Sequence, residues 1–119
     1  MIEQKMLIGG QECAASNGAT FERKNPLDGS VATRAPAATT EDAIRACDAA
    51  AAAFPAWSQL GPNARRAMLM KASHALEAKG EAIAAAMAAE TGASGIWAGF
   101  NVHLAASMLL EAASLTTQI

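Results

Sequence analysis

The 119 residues carry nine basic and eleven acidic side chains, a formal net charge of −2. With 17% charged residues and no basic excess, nothing draws a phosphate backbone or an anionic bilayer, which argues against nucleic-acid and membrane partners. Hydrophobic residues reach 52% but aromatics only 4%; the balance is largely alanine, which favours helix strongly and buries little area per residue, and a chain of this length has room for one domain.

Residues 1–37 have strand character. Met6-Leu7-Ile8 is a short apolar run closed by Gly9-Gly10, a turn signal, and is far too short for the apolar core of a secretory signal, so a soluble, cytoplasmic protein is expected. Two further runs, Phe21 to Asn25 and Ser30 to Ala35, flank Pro26-Leu27-Asp28-Gly29, a reversal in which proline presets φ and glycine accepts a positive one. Pro36 ends the second run.

From Thr39 the period changes, and residues 39–119 read as three or four helices. Thr39-x-x-Asp42 forms a capping-box pattern, and Ile44, Cys47, Ala51 and Phe54 recur on one helical face until Pro55, the expected end. A second helix opens at Gly61-Pro62, with Leu69, Ala72, Ser73 and Leu76 as its stripe and Arg65, Arg66, Lys71 and Lys79 mostly elsewhere. Gly80 marks a break; a third helix presents Ile83, Ala84, Met87 and Ala88 and closes at Glu90-Thr91-Gly92. The last begins near Ser94, with Trp97, Phe100, Leu104 and Met108 along one side. From Gly95 to Leu110 its single ionisable side chain is His103. A helix so apolar on every side is expected to be buried on every side, and the chain offers too little surface for that, so further polypeptide is expected to follow Ile119. No internal repeat is present.

No catalytic constellation stands out. Cys13 and Cys47 are far apart and read as small buried residues. Glu90 has no carboxylate partner and reads as a solvated helix-end residue; His74 reads as surface, His103 as a satisfied core histidine, and neither has the partner a metal site needs. Gly92-x-x-Gly95-x-x-x-Gly99 lacks the preceding strand of a phosphate loop, and Ser94 and Ser107 lack triad partners. Trp97, Phe100 and Asn101 place one amide beside two aromatic rings, either as core packing with a satisfied amide or as the wall of an apolar pocket.

The order of short motifs is more specific than any one of them. Leu7-Ile8-Gly9-Gly10-Gln11, Phe21 with Asn25-Pro26-x-x-Gly29, Glu41-Asp42-Ala43-Ile44, Ala52-Ala53-Phe54-x-x-Trp57, Arg65-x-x-x-Leu69, Ala72, Leu76-Glu77 and Glu90-Thr91-Gly92 together resemble the opening of the aldehyde dehydrogenase superfamily. Glu90-Thr91-Gly92-Ala93, Trp97-Ala98-Gly99-Phe100-Asn101, Glu111-Ala112-Ala113 and Thr116-Thr117-Gln118-Ile119 are similar to its salicylaldehyde, benzaldehyde and vanillin dehydrogenases. Many relatives have lysine-proline where this chain has Ala93-Ser94.

That resemblance implies an α/β, Rossmann-like fold of which residues 1–119 are the leading part of the NAD(P)-binding domain, with no catalytic domain in the chain. It implies an enzyme that oxidises an aldehyde with NAD or NADP through a cysteine thioester and assembles as a homodimer or tetramer. The family's nucleophile, base, oxyanion asparagine and cofactor-phosphate loop fall beyond Ile119, so no catalytic, cofactor or metal residue is assigned here, and the piece alone is expected to be inactive. The segment after Glu-Thr-Gly lines the family's substrate tunnel, which makes Trp97, Phe100, Asn101 and Leu104 the candidate wall. Two alternatives stand beside this: a non-catalytic helical assembly module derived from the family, and a member acting on aliphatic or semialdehyde substrates.

Overall fold

A computed structural model describes residues 1–118. The described residues form five strands and four helices, and the chain divides into two compact units, Met1–Gln59 and a second beginning at Leu60.

In the first unit, β2 (Met6–Ile8) and β3 (Gln11–Cys13) pair antiparallel across Gly9 and Gly10. Both glycines take positive φ, 59° and 78°, as a tight two-residue hairpin demands. A separate mixed sheet has the order β1-β5-β4, from β1 (Ile2–Glu3), β4 (Thr20–Lys24) and β5 (Val31–Pro36). The β4–β5 reversal is the one expected. Asn25 Oδ1 accepts from the Leu27 N–H at 2.9 Å, Gly29 sits at φ 75°, and Asp28 Oδ1 accepts from both the N–H and the hydroxyl of Ser30. β1 pairs parallel with β5, and Arg34 opposes Glu3 on one side and Glu22 on the other, bonding them at 3.2 and 2.9 Å.

Helix α1 (Thr40–Ser58) starts on the expected capping box, which is fully formed at Thr39 and Asp42. It does not stop at Pro55. Proline lacks an N–H and so forfeits one bond to the preceding turn, but so near the end the helix still closes its final residues, and Ser58 Oγ donates to the Pro55 carbonyl at 2.9 Å. The Ile44/Cys47/Ala51/Phe54 face exists but is exposed. Cys47 is therefore exposed and Cys13 only half-buried, against the expectation that both are buried; the small first unit has too little surface to cover them.

The second unit is helical: α2 (Pro62–Glu77), α3 (Gly80–Thr91) and α4 (Gly95–Leu115). Pro62 takes the first helical position, where its missing N–H costs nothing. Gly92 ends α3 in the left-handed conformation, φ 69°, its N–H bonded to the Ala88 carbonyl. α2 and α4 run antiparallel, since Arg66 reaches Ala113 while Ser73 reaches Ala106. Their contact is built from small residues: Ala106 and Ala113 are buried on α4, and Ser73 is wholly buried on α2. Ser73 satisfies its hydroxyl on the Ala106 carbonyl at 2.9 Å, so close approach of the two backbones leaves no orphaned polar atom there. Gly80 meets α4 as well; a Cβ there would sit 3.4 Å from Val102 Cγ1.

Candidate functional site

The candidate residues all lie on α4, and two local devices aim them. Gly92 turns the chain out of α3, and Ser94 then caps α4, its Oγ accepting the Trp97 N–H at 3.3 Å. Trp97 is thereby held in the first turn of a 21-residue helix. Positions 97, 100, 101 and 104 fall on one face by helical periodicity, and that face is turned from the alanine stripe packed on α2.

The structure brings the aromatic pair together. The Trp97 and Phe100 rings stack with centroids 5.4 Å apart and 24° between their planes. Both stay half open, at 54% and 50% exposure, and Leu104, at 43%, extends the surface one turn on. Asn101 lies half-buried beside them, and its Nδ2 donates to the Trp97 carbonyl at 2.8 Å. One apolar ring surface with one oriented amide results. Ile96, 89% exposed, and Met108 widen the apolar surface without joining the stack.

Other candidates do not converge. His103 is exposed, not a core residue, because α4 buries only its α2- and α3-facing stripe. His74 is exposed as expected, and Glu90 is half-buried rather than fully solvated. Gly95 and Gly99 sit inside α4 with no strand before them, so they form no cradle for a dinucleotide phosphate. Ser94 spends its hydroxyl on the cap. Among the described residues no cluster of three His, Cys, Asp or Glu side chains is placed to hold a metal ion, and no helix is long and apolar enough to cross a membrane.

Sequence reasoning missed Arg66. Its Nε donates to the Ala113 carbonyl at 3.2 Å and its Nη2 to that of Ser114 at 3.3 Å, closing the C-terminal end of α4, which has no basic residue of its own. With Met70, Leu110, Ala113 and Ser114 it borders an open hollow of about 300 Å³. The signal was present: positions 66, 69, 73 and 76 share one stripe.

Comparison with known proteins decides the family. The family model described as "Aldehyde dehydrogenase family" matches residues 13–119. The chain belongs to the aldehyde dehydrogenase family. It is 56% identical over its whole length to a vanillin dehydrogenase of Pseudomonas fluorescens, of which it spans 24%. The salicylaldehyde dehydrogenase of Pseudomonas putida G7, solved with salicylaldehyde bound, superposes with a TM-score of 0.96 at 43% identity, covering 99% of this chain and 24% of that one. A NAD-dependent benzaldehyde dehydrogenase from Corynebacterium glutamicum follows the same path, with a TM-score of 0.91 at 28% identity over 98% of this chain and 25% of its own. The chain thus spans about a quarter of the length of the aldehyde dehydrogenases it matches, and its α/β elements follow theirs throughout.

Proposed function

We propose that the chain is the leading part of the cofactor-binding domain of an NAD(P)-dependent dehydrogenase that oxidises an aromatic aldehyde to its carboxylate. In this reading Trp97, Phe100, Asn101 and Leu104 form one wall of the substrate tunnel. The observation that carries it is the half-open Trp97–Phe100 stack on α4, an apolar surface suited to a flat ring, in a chain resembling enzymes named for vanillin, salicylaldehyde and benzaldehyde. We assign the described residues no part in holding the nicotinamide cofactor; between β5 and α1 they carry no glycine-rich turn. What they supply is orientation: a ring held against a rigid helix loses the freedom that would otherwise keep its aldehyde from the reacting groups. The thioester-forming cysteine and the base belong to segments outside these residues, and a cytoplasmic homodimer or tetramer completes the proposal.

The test is an exchange. The chain is substituted for the matching quarter of the Pseudomonas fluorescens vanillin dehydrogenase, and kcat/KM is measured for benzaldehyde and for hexanal. Trp97→Ala should lower the benzaldehyde value about tenfold relative to hexanal, the scale of one lost aromatic contact. Equal losses on both substrates overturn the aromatic assignment. A chimera that assembles without oxidising any aldehyde, or cannot assemble despite 56% identity, overturns the enzyme assignment.

A further inference from the structure

We propose that Asn101 is a specificity-determining residue that accepts a hydrogen bond from a hydroxyl group on the substrate's ring. The inference rests on the tunnel-wall reading above and adds to it a substrate class, the hydroxybenzaldehydes.

The argument is one of donors and acceptors. Of the four wall side chains, Phe100 and Leu104 make no hydrogen bonds, and the Trp97 indole can only donate. Asn101 has both kinds of group, but the structure fixes which end it offers. Its Nδ2 is tied to the Trp97 carbonyl one turn back, at 2.8 Å. A carbonyl accepts and never donates, so that end of the amide must be the NH₂, and the amide is not free to flip. Oδ1 is therefore the end left to meet a ligand. By helical periodicity Asn101 shares the face that carries the stacked rings.

An oriented acceptor at an apolar ring surface recognises a donor. A phenolic hydroxyl is a donor; its methyl ether is not, and neither is the aldehyde oxygen. Desolvating an amide oxygen against a ring that cannot satisfy it is costly, so Asn101 favours the hydroxylated ring twice, by the bond made and by the penalty imposed on its ether. Leucine at this position would keep the volume and the wall while removing the acceptor.

In the chimera, Asn101→Leu is compared with its parent on two matched pairs: vanillin against 3,4-dimethoxybenzaldehyde, and salicylaldehyde against 2-methoxybenzaldehyde. Within each pair the ratio of kcat/KM values is taken on one preparation, so a loss of folded enzyme cancels. The expected result is a fall of about two- to tenfold in the preference for the hydroxylated ring in at least one pair, the range of one hydrogen bond. Unchanged ratios in both pairs overturn the assignment of Asn101. The two failures are distinguishable: if Trp97→Ala leaves the aromatic preference intact, the wall itself falls, whereas if only the ratios with Asn101→Leu stay fixed, the wall stands and Asn101 is a helix-bonding residue alone.

Discussion

Asp42 shows how much one side chain can organise. It is 1% exposed, and its Oδ2 accepts from the backbone N–H groups of Thr39 at 2.9 Å and Ser16 at 3.1 Å and from both of their hydroxyls. Oδ1 accepts no hydrogen bond but lies 3.4 Å from the Arg45 guanidinium. The Thr39 and Ser16 amides, with smaller help from the Thr39 hydroxyl and Arg45, hold the Asp42 carboxyl below the usual carboxylate range against the opposing effect of burial. A group held low in the folded state stabilises above its unfolded pKa, about 4, and loses that contribution as pH falls through the lower folded value. Melting midpoints recorded from about pH 6 to about pH 3 should therefore fall more steeply for the parent than for Asp42→Asn, which keeps the shape but cannot titrate. Asp28, also held low by its bonds to Ser30, titrates in both proteins and drops out of the difference. Parallel curves would remove Asp42 from the acid sensitivity.

At the scale of elements, the α2–α4 contact depends on residues being small. Ser73 is fully buried against the Ala106 carbonyl, with no room for a longer side chain. Ser73→Leu should destabilise the second unit by about 1–3 kcal/mol through overpacking, whereas Ser73→Ala should cost about 1 kcal/mol or less, because the Ala106 carbonyl keeps its helical partner. Urea unfolding followed by helical circular dichroism measures both, and a leucine variant as stable as the parent would show that the helices are not packed as described. Much of this level was legible in advance. Thr39-x-x-Asp42, Pro62, Gly92 and Ser94 each act through their own backbone neighbours, so the sequence carries their signal locally, and all four mark boundaries the structure reproduces. β1 was not legible, because two residues show no period and its partner strand lies far along the chain, Glu3 meeting Arg34, 31 positions away. Pro55 misled for a different reason. Its penalty is a single bond, which the last turn of a 19-residue helix tolerates.

For the whole molecule, burial was the property sequence could not settle. Cys47 and His103 sit on helices whose apolar pattern suggests a core, yet each helix has more apolar surface than its own unit covers. The candidate wall was legible as a set, since the spacing of Trp97, Phe100, Asn101 and Leu104 fixes a common face, but the tether that orients Asn101 was not. Phe54 and Trp57 in the first unit, and Ile96, Trp97, Phe100 and Met108 in the second, leave large apolar side chains facing out. Monomers seldom expose such groups in contiguous patches. The 119-residue polypeptide on its own is therefore expected to enhance the fluorescence of a hydrophobic dye before any thermal transition, and to produce no reduced cofactor from benzaldehyde and NAD. A chain that excludes the dye and melts cooperatively would favour an autonomous helical module instead, and turnover would overturn the expectation that these residues lack the reacting groups.

Arg66 grips the far end of α4, about 24 Å along the axis from Trp97 at the helical rise per residue. A helix bonded there and again midway, at Ser73, would turn a small tilt at one end into a larger displacement at the other. A tilt of about 2–3° at the clamp would carry the tryptophan roughly 1 Å, given that rise, and displacements of this size are enough to spoil alignment for reaction. On the proposed reading, substituting this half-buried arginine, remote from either ring, would shift the candidate wall without touching it.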